Sequence, residues 1–354
     1  MTDEGNDQAL ALGAQSGQAM KAASLCTGIG GLDRAVEAVW PGTLLAWTAE
    51  MDRHARTILT RHWPDATHHG RFDHDGITDG PAWQELPHVD ILTAGFPCQD
   101  ISYAGKGAGI NGPRSSVFFH VAQAVHVLRP RWVVIENVGA LRRRGLDVVT
   151  HTLAGLGYVG SWCSVRASDI GAPHRRERVF IVATDTHGQG RQGERGAVAA
   201  AGTRPHVEPR RPRRVPPDAD SDGLGRLSVD HCDTHRACQA DHVDRDHTHR
   251  RGVDRWGRYW PAVHRWEQLT GERAPDPLVN GRLNPDLPRW MMGYPSGWVD
   301  GIPKTAQLRC LGNAVCPPQG VLGIRTCLDL LAGLGSVRPQ PDHPGQFNLF
   351  NWPA

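Results

Sequence analysis

Apolar and polar positions follow two periods along this chain, and the two periods take turns. A short apolar run at 22–26 is followed by Leu32, Ala35, Val36, Val39 and Trp40, which recur at the spacing of one helix face. Leu44–Ala49 reads as a second strand and 89–94 as a third. Val117, Val121, Ala124, Val125 and Leu128 mark a helix, 132–135 a buried strand, 146–156 a helix and 178–183 another strand. Strands separated by helical stretches predict a parallel, doubly wound α/β sheet, because each parallel pair needs a crossover.

The pattern changes near residue 185. Residues 185–255 hold thirteen arginines, twelve acidic residues and seven histidines, with almost no apolar periodicity. A weak repeat relates 185–191 to 220–226, but two copies do not make a solenoid. The stretch reads as a loop-rich insert. Order resumes near 256–266, where the tryptophans are expected to pack a smaller domain rather than stack on bases. A globular pattern returns after Leu287, and 319–331 predicts a last helix. The first 20 residues read as a frayed polar tail, and the proline-rich stretch from Pro339 as extended.

Composition narrows the class. At 354 residues, 39% hydrophobic and 21% charged, the chain suits one large globular domain and a smaller one. Its apolar runs, such as 133–135 and 179–183, are too short to cross a bilayer, and 1–20 lack the basic start and apolar stretch of a signal peptide. The eight cysteines follow no disulfide-framework spacing, so a reducing cytoplasm is expected. A net charge of +2 neither requires nor excludes a nucleic-acid partner. Only Lys21, Lys106 and Lys304 of the 39 basic residues are lysines. That bias fits a GC-rich coding genome, and it also supplies guanidinium forks suited to phosphates and guanine edges.

Four short motifs carry candidate chemistry. The first strand ends in Gly28, Ile29, Gly30 and Gly31 just before a helix, where glycines let a backbone approach a ligand and the helix offers free N–H groups. Taken alone this is equally a tight turn, and its spacing is not the dinucleotide fingerprint. Glu50, at the end of the second strand, can accept from both hydroxyls of a ribose or stand as a solvated carboxylate. The third strand runs into Gly95–Ser102 (Gly-Phe-Pro-Cys-Gln-Asp-Ile-Ser). A cysteine in such a turn faces the crevice where α/β ligands bind, and nearby N–H groups or an arginine favour its thiolate. The plainer reading of Cys98 is a small buried hydrophobe. Glu136, Asn137 and Val138 end the buried strand with a carboxylate at the same sheet edge, and His174–Arg178 (His-Arg-Arg-Glu-Arg) feeds guanidinium groups into the next strand.

Together these motifs resemble the DNA (cytosine-5) methyltransferases. Their glycine motif is similar to 24–31, their nucleophile loop to 95–102, their Glu-Asn-Val motif to 136–138 and their Gln-x-Arg-x-Arg motif to 174–178. Two late motifs resemble 282–298 and 312–317. Six motifs in order cover about 22–184 and 280–332, and the unmatched stretch falls where the family keeps its variable target-recognition region.

The resemblance implies a Rossmann-like S-adenosylmethionine-dependent methyltransferase sheet with a smaller target-recognition domain. The expected division is a disordered tail (1–20), a catalytic domain (21–184), a target-recognition region (185–290), a C-terminal return to the catalytic domain (291–338) and an extended tail (339–354). It implies that Cys98 attacks C6 of a cytosine flipped out of the duplex, because C5 is not nucleophilic until C6 carries an electron-rich adduct. Glu136 then holds a proton toward N3, Arg178 sits against O2 and Arg176 supports the site. S-adenosyl-L-methionine is the implied methyl donor. Gly28, Ile29, Gly30 and Gly31 map near its methionine portion, Glu50 onto its ribose, and Met51, Pro97, Val117, Asn313 and Val315 to the rest of the pocket. Of the two aspartates in Phe72–Asp75, Asp73 is preferred for adenine.

Three positions depart from the family pattern: Ser24 replaces a customary Asp, Cys26 a Phe that packs against adenine, and His174 a Gln. None removes a reacting group. Arg210, Arg211, Arg213 and Arg214, spaced by prolines, make an arm suited to phosphates or a solvated linker. His231, Cys232, His235, Cys238, His242, His247 and His249 cluster, but five residues separate the cysteines where common zinc motifs have two to four, so no metal is assigned. The implied partners are double-stranded DNA and a cognate restriction endonuclease acting on the same site, with no membrane and a monomeric enzyme. An inert DNA-binding relative and an RNA cytosine-5 methyltransferase on the same scaffold are the competing readings. Retention of Cys98, Glu136 and both arginines speaks against the first, and the variable insert against the second.

Overall fold

The computed structural model describes residues 19–97, 117–186 and 254–333, all within one compact unit made of 1–190 and 252–354. Seven strands form its sheet: β1 (Lys21–Leu25), β2 (Leu44–Ala49), β3 (Thr67–His69), β4 (Ile91–Ala94), β5 (Trp132–Val138), β6 (Tyr158–Arg166) and β7 (Glu177–Asp185). Their order is β3-β2-β1-β4-β5-β7-β6. The strands from β3 to β5 pair in parallel, whereas β7 runs antiparallel to β5 and β6.

The antiparallel strand departs from the all-parallel sheet that the alternation predicts. Only 167–176 link β6 to β7, and they hold a single 3-10 turn at Ala167–Ile170. A parallel return needs about a dozen residues or more of crossover, so the chain doubles back instead. β3 is too short to show a period, and β6 buries only Tyr158 and Val165 fully, which is why neither is legible as a strand.

Helices cover both faces. On one side α3 (Val117–Leu128), α4 (Leu141–Arg144) and α5 (Leu146–Gly155) bury Phe118, Val121, Leu141 and Val149 against Val179 and Ile181 of β7. On the other, α1 (Gly31–Val39) and α9 (Pro317–Leu331) bury Val36, Val321 and Ile324 against Phe180 and Val182. Successive β7 residues thus serve opposite cores, as strand geometry requires. β4 is buried along its whole length, which suits a parallel strand covered on both faces.

A third core joins α2 (Arg53–His62) to the late part of the chain. Here Ile29 and Ile58 pack with Trp260, Val263 and Trp266 of α6 (Trp260–Thr270), Trp290 of α7 (Asp286–Met291), and Trp298. The apolar face of the 256–266 segment thus lies in one core with Ile29 of the glycine turn and Ala55 and Ile58 of α2. Trp266 donates to the Trp290 carbonyl at 2.8 Å, and Trp290 to the Glu272 carbonyl at 3.0 Å. Arg289, only 1% exposed, pairs with Glu272 and donates to the Tyr294 carbonyl at 2.7 Å, so its buried charge is satisfied. A small hairpin of β8 (Leu278–Val279) and β9 (Arg282–Leu283) precedes α7, and α8 (Lys304–Asn313) precedes α9. Among the described residues no helix is long and apolar enough to cross a membrane.

Candidate active site

Strand order reverses between β1 and β4, so their carboxyl ends open a crevice of the kind in which α/β proteins bind ligands. The turn leaving β1 is bent by left-handed backbone at Cys26 (φ 53°), Gly28 (φ 58°) and Gly30 (φ 80°). Its glycines do different jobs. A Cβ on Gly30 would lie 2.3 Å from the Trp63 ring, and one on Gly31 would lie 2.2 Å from the Tyr294 hydroxyl and 2.4 Å from the Val315 carbonyl. Those two permit packing. Among the described residues beyond its chain neighbours, a Cβ on Gly28 would meet no atom within 4 Å, so Gly28 is the member of the turn that this packing does not require. Ile29 is 1% exposed: its side chain belongs to the third core, and its carbonyl accepts from the Trp298 indole at 3.1 Å.

Glu50 crosses to this turn from β2. Its Oε2 accepts the Gly28 N–H at 2.7 Å and its Oε1 the Asp52 N–H at 2.8 Å. Burial pushes its pKa above the ordinary carboxylate range, and the two N–H groups oppose that rise. Asp52 caps α2 by accepting the His54 N–H at 2.9 Å, and its second oxygen pairs with Arg309 of α8 at 2.7 Å. Thus one ion pair ties the Glu50 corner to the helix that ends in Asn313. Asn313 is exposed, while Val315 is buried and its carbonyl accepts from Tyr294 at 2.7 Å. Met51 is largely exposed beside Glu50. Asp73 is half-buried and accepts the Asp75 N–H at 3.0 Å, whereas the Asp75 side chain is 95% exposed and turned to His74. Val117 is half-buried at the start of α3, and Pro97 is exposed.

The second half of the site lies on β5 and β7. Glu136 is buried, and its Oε1 pairs with Arg178 Nε at 2.8 Å. Burial raises its pKa, partly offset by the Arg178 and Arg176 guanidinium groups. A Cβ on Gly95 would lie 3.7 Å from Glu136 Oε2 and 3.6 Å from the Cys26 carbonyl, so the β4 turn, the carboxylate and the glycine turn converge. Asn137, 2% exposed, donates to the Phe96 carbonyl at 3.1 Å and holds the backbone that leads to Cys98. Arg176 points elsewhere. It donates to the Gly312 carbonyl at 3.1 Å and to that of Ala314, linking the arginine motif to the late turn, and burial pushes its pKa down to about 10. His174 contacts the Met291 carbonyl at 3.0 Å. Gln319 donates to the carbonyls of Val165 and Arg176, bracing the same corner from α9.

Ser24 does not leave the β1 strand without a carboxylate. Asp33 of α1, 2% exposed, accepts from Ser24 at 3.2 Å and from Thr93 of β4 at 2.8 Å, and burial lifts its pKa to about 6. Asp33 lies three residues before Val36 and seven before Trp40, on the apolar helix face. That spacing signals its burial, but nothing in the sequence signals its partners. Cys98, the proline-spaced arginines 210–214 and the Cys/His cluster at 231–249 lie outside the described residues. Among the described residues no group of three or more His, Cys, Asp or Glu side chains is placed to hold a metal.

A strand order of this kind, with a glycine turn at its switch point and a buried carboxylate–arginine pair beyond it, defines a methyltransferase-type α/β fold. The family model for C-5 cytosine-specific DNA methylases matches residues 20–273, and the chain belongs to that family. It is 35% identical over 173 residues to the type II methyltransferase M2.BsuMI of Bacillus subtilis, covering 47% of this chain and 42% of that protein. It is 34% identical over 167 residues to M.DsaV of Dactylococcopsis salina, covering 46% and 45%. The chain thus spans less than half the length of these relatives. A solved Escherichia coli structure described as a DNA modification methyltransferase encoded within a prophage superposes with a TM-score of 0.50 at 16% identity, over 89% of this chain and 98% of that one, and supports the fold.

Proposed function

We propose that this protein is a DNA (cytosine-5-)-methyltransferase acting on double-stranded DNA with S-adenosyl-L-methionine. The observation that carries the reading is the buried Glu136–Arg178 pair set against Gly95, across the crevice from a Glu50-pinned glycine turn. The donor set fits the cofactor. Among the described residues Gly28 leaves open space, and each Glu50 oxygen, already holding one N–H, keeps a lone pair for a ribose hydroxyl. Met51, Asp73, Pro97, Val117, Asn313 and Val315 complete the proposed pocket, with Ile29, Gly30 and Gly31 shaping it from behind. When bound, S-adenosyl-L-methionine supplies an electrophilic methyl group.

The chain supplies the rest. The Cys98 thiolate forms a bond to C6 of the extruded cytosine, and the displaced electron pair makes C5 nucleophilic. A protonated Glu136, favoured by its burial, donates toward N3 and offsets charge building on the ring. In this reading Arg178, paired with Glu136, contacts O2, while Arg176 fixes the late turn. After methylation the C5 proton leaves and the Cys98–C6 bond breaks. We assign target reading to 185–290, whose described part from Trp260 onward anchors in the third core. The type II names of the relatives support a role in restriction–modification beside a cognate endonuclease, and we take the enzyme to be a monomer.

The test is covalent trapping. Duplex DNA bearing 5-fluorocytosine at the target should give a band that survives denaturation, only when the cofactor is present, because fluorine cannot leave C5 as a proton does. Cys98→Ser should give none. A trapped band with that variant would assign the nucleophile elsewhere.

A further inference from the structure

The carboxyl edge of the sheet carries a second charged feature on the flank away from Glu136. Side chains alternate along β7, so Arg178 and Glu177 point to opposite faces. Glu177, on the α3 side, is a hub. It pairs with Arg142 at 2.8 Å, accepts from Ser164 at 2.8 Å and stands in register with Arg166 at the end of β6. The Arg175 carbonyl accepts the Ala167 N–H at 2.9 Å, which brings Arg175 to the same corner. Arg142, Arg143, Arg166 and Arg175 are all exposed. Leu141, fully buried, roots the short α4 in the core, so the arginines that follow it stand on a fixed base. Four exposed arginines gather at this corner with two carboxylates, the half-buried Glu177 and the exposed Asp169, whose side chain accepts the Arg166 N–H at 2.7 Å, in a protein whose net charge is only +2.

Resting on the methyltransferase reading, we infer that Arg142, Arg143, Arg166 and Arg175 form a rim that binds the DNA phosphate backbone beside the extruded cytosine. The chemistry suits phosphates rather than bases. Arg142 and Arg143 sit on α4, Arg166 at the end of β6 and Arg175 just before β7, three neighbouring segments along one edge, as a backbone track requires, and Glu177 pairs with Arg142. α3, whose Phe118 and Val121 are buried with Val179 and Ile181 of β7, packs on this same face of the sheet.

The test uses the full chain and a 5-fluorocytosine-free duplex of random sequence. Affinity is measured by fluorescence anisotropy over a series of salt concentrations, for the wild type and for Arg143→Gln, Arg166→Gln and Arg175→Gln singly and combined. Each lost phosphate contact should reduce the slope of log affinity against log salt by roughly 0.9, and the triple variant should bind on the order of 10- to 100-fold more weakly at 0.1 M salt. Melting temperature and cofactor affinity should not move. Lysine at the same three positions should restore most of the slope, because a point charge suffices to displace counterions. An unchanged slope in the triple Gln variant overturns the rim while leaving the methyltransferase reading intact. So does a loss that lysine fails to rescue. A wild-type protein that binds no duplex overturns that reading and the rim with it.

Discussion

Around Gly28 the crevice is shaped by backbone, and around Glu136 it is shaped by charge. The glycine turn needs three left-handed residues within five positions, two contacts that exclude a Cβ, and one carboxylate that accepts two N–H groups. The far side needs a buried carboxylate and a guanidinium that come from adjacent antiparallel strands and meet at 2.8 Å. A backbone-built site tolerates side-chain change and fails when its geometry moves. A charge-built site keeps its geometry and fails when one partner is neutralised.

Substitutions on each side sharpen that contrast, taken from the largest expected effect to the smallest. Glu136→Gln keeps the shape of the side chain but removes the transferable proton, so the methylation rate should fall by roughly 10²–10⁴. Cofactor affinity by calorimetry should stay put; if it falls in parallel, the two sides are not separate. In the wild type, the rate limited by protonated Glu136 should decline as pH rises through its raised pKa, and a pH–rate profile of Arg178→Ala should place that decline higher still, because the guanidinium holds the value down.

Glu50→Ala should act on the other side, weakening cofactor binding by roughly 1.5–3 kcal/mol through lost acceptors and a released Gly28 N–H. Unchanged binding would remove Glu50 from the site. Asp33→Asn addresses the strut between α1 and β4. The folded-state pKa of Asp33, about 6, exceeds its ordinary 3.8, so the protonated form favours folding: this contribution is whole below about pH 4 and lost as pH rises through about 6. It amounts to about 2–3 kcal/mol at full extent. Melting curves from pH 4 to 8 should therefore fall less steeply in Asp33→Asn than in the wild type, and parallel curves would show that this carboxyl does not titrate with unfolding. Smallest of all is Arg309→Ala. The half-exposed pair with Asp52 is worth less than about 1 kcal/mol, so cofactor affinity should drop only a few-fold. Asp52→Asn, which keeps the helix cap, should match it, and the double variant should be no worse than either.

Where the candidate residues stand along the fold is readable residue by residue from the sequence. Gly28, Glu50 and Glu136 follow apolar runs and Arg178 opens one, and a strand end at a sheet edge is where a polar side chain can serve a ligand. Arg176 shows the limit. It sits two residues from Arg178 in the same motif, yet its guanidinium goes to the Gly312 and Ala314 carbonyls, 136 and 138 residues away. Ile29, Gly30 and Gly31 share the motif of Gly28 but face Trp63, Trp298, Tyr294 and Val315, all distant in sequence.

The sequence by itself determined the alternation of strand and helix, the turn chemistry at Gly28 and the placement of carboxylates at strand ends, because these depend on period, glycine conformation and local order. Only the tertiary structure decided that β7 enters the sheet antiparallel between β5 and β6, that α6 docks against Ile29 and Ile58, and that Asp33 reaches Ser24 and Thr93. Each of those joins residues far apart in the chain. Their free energy comes from burying apolar surface and satisfying buried polar groups, and it exists only once the partners meet.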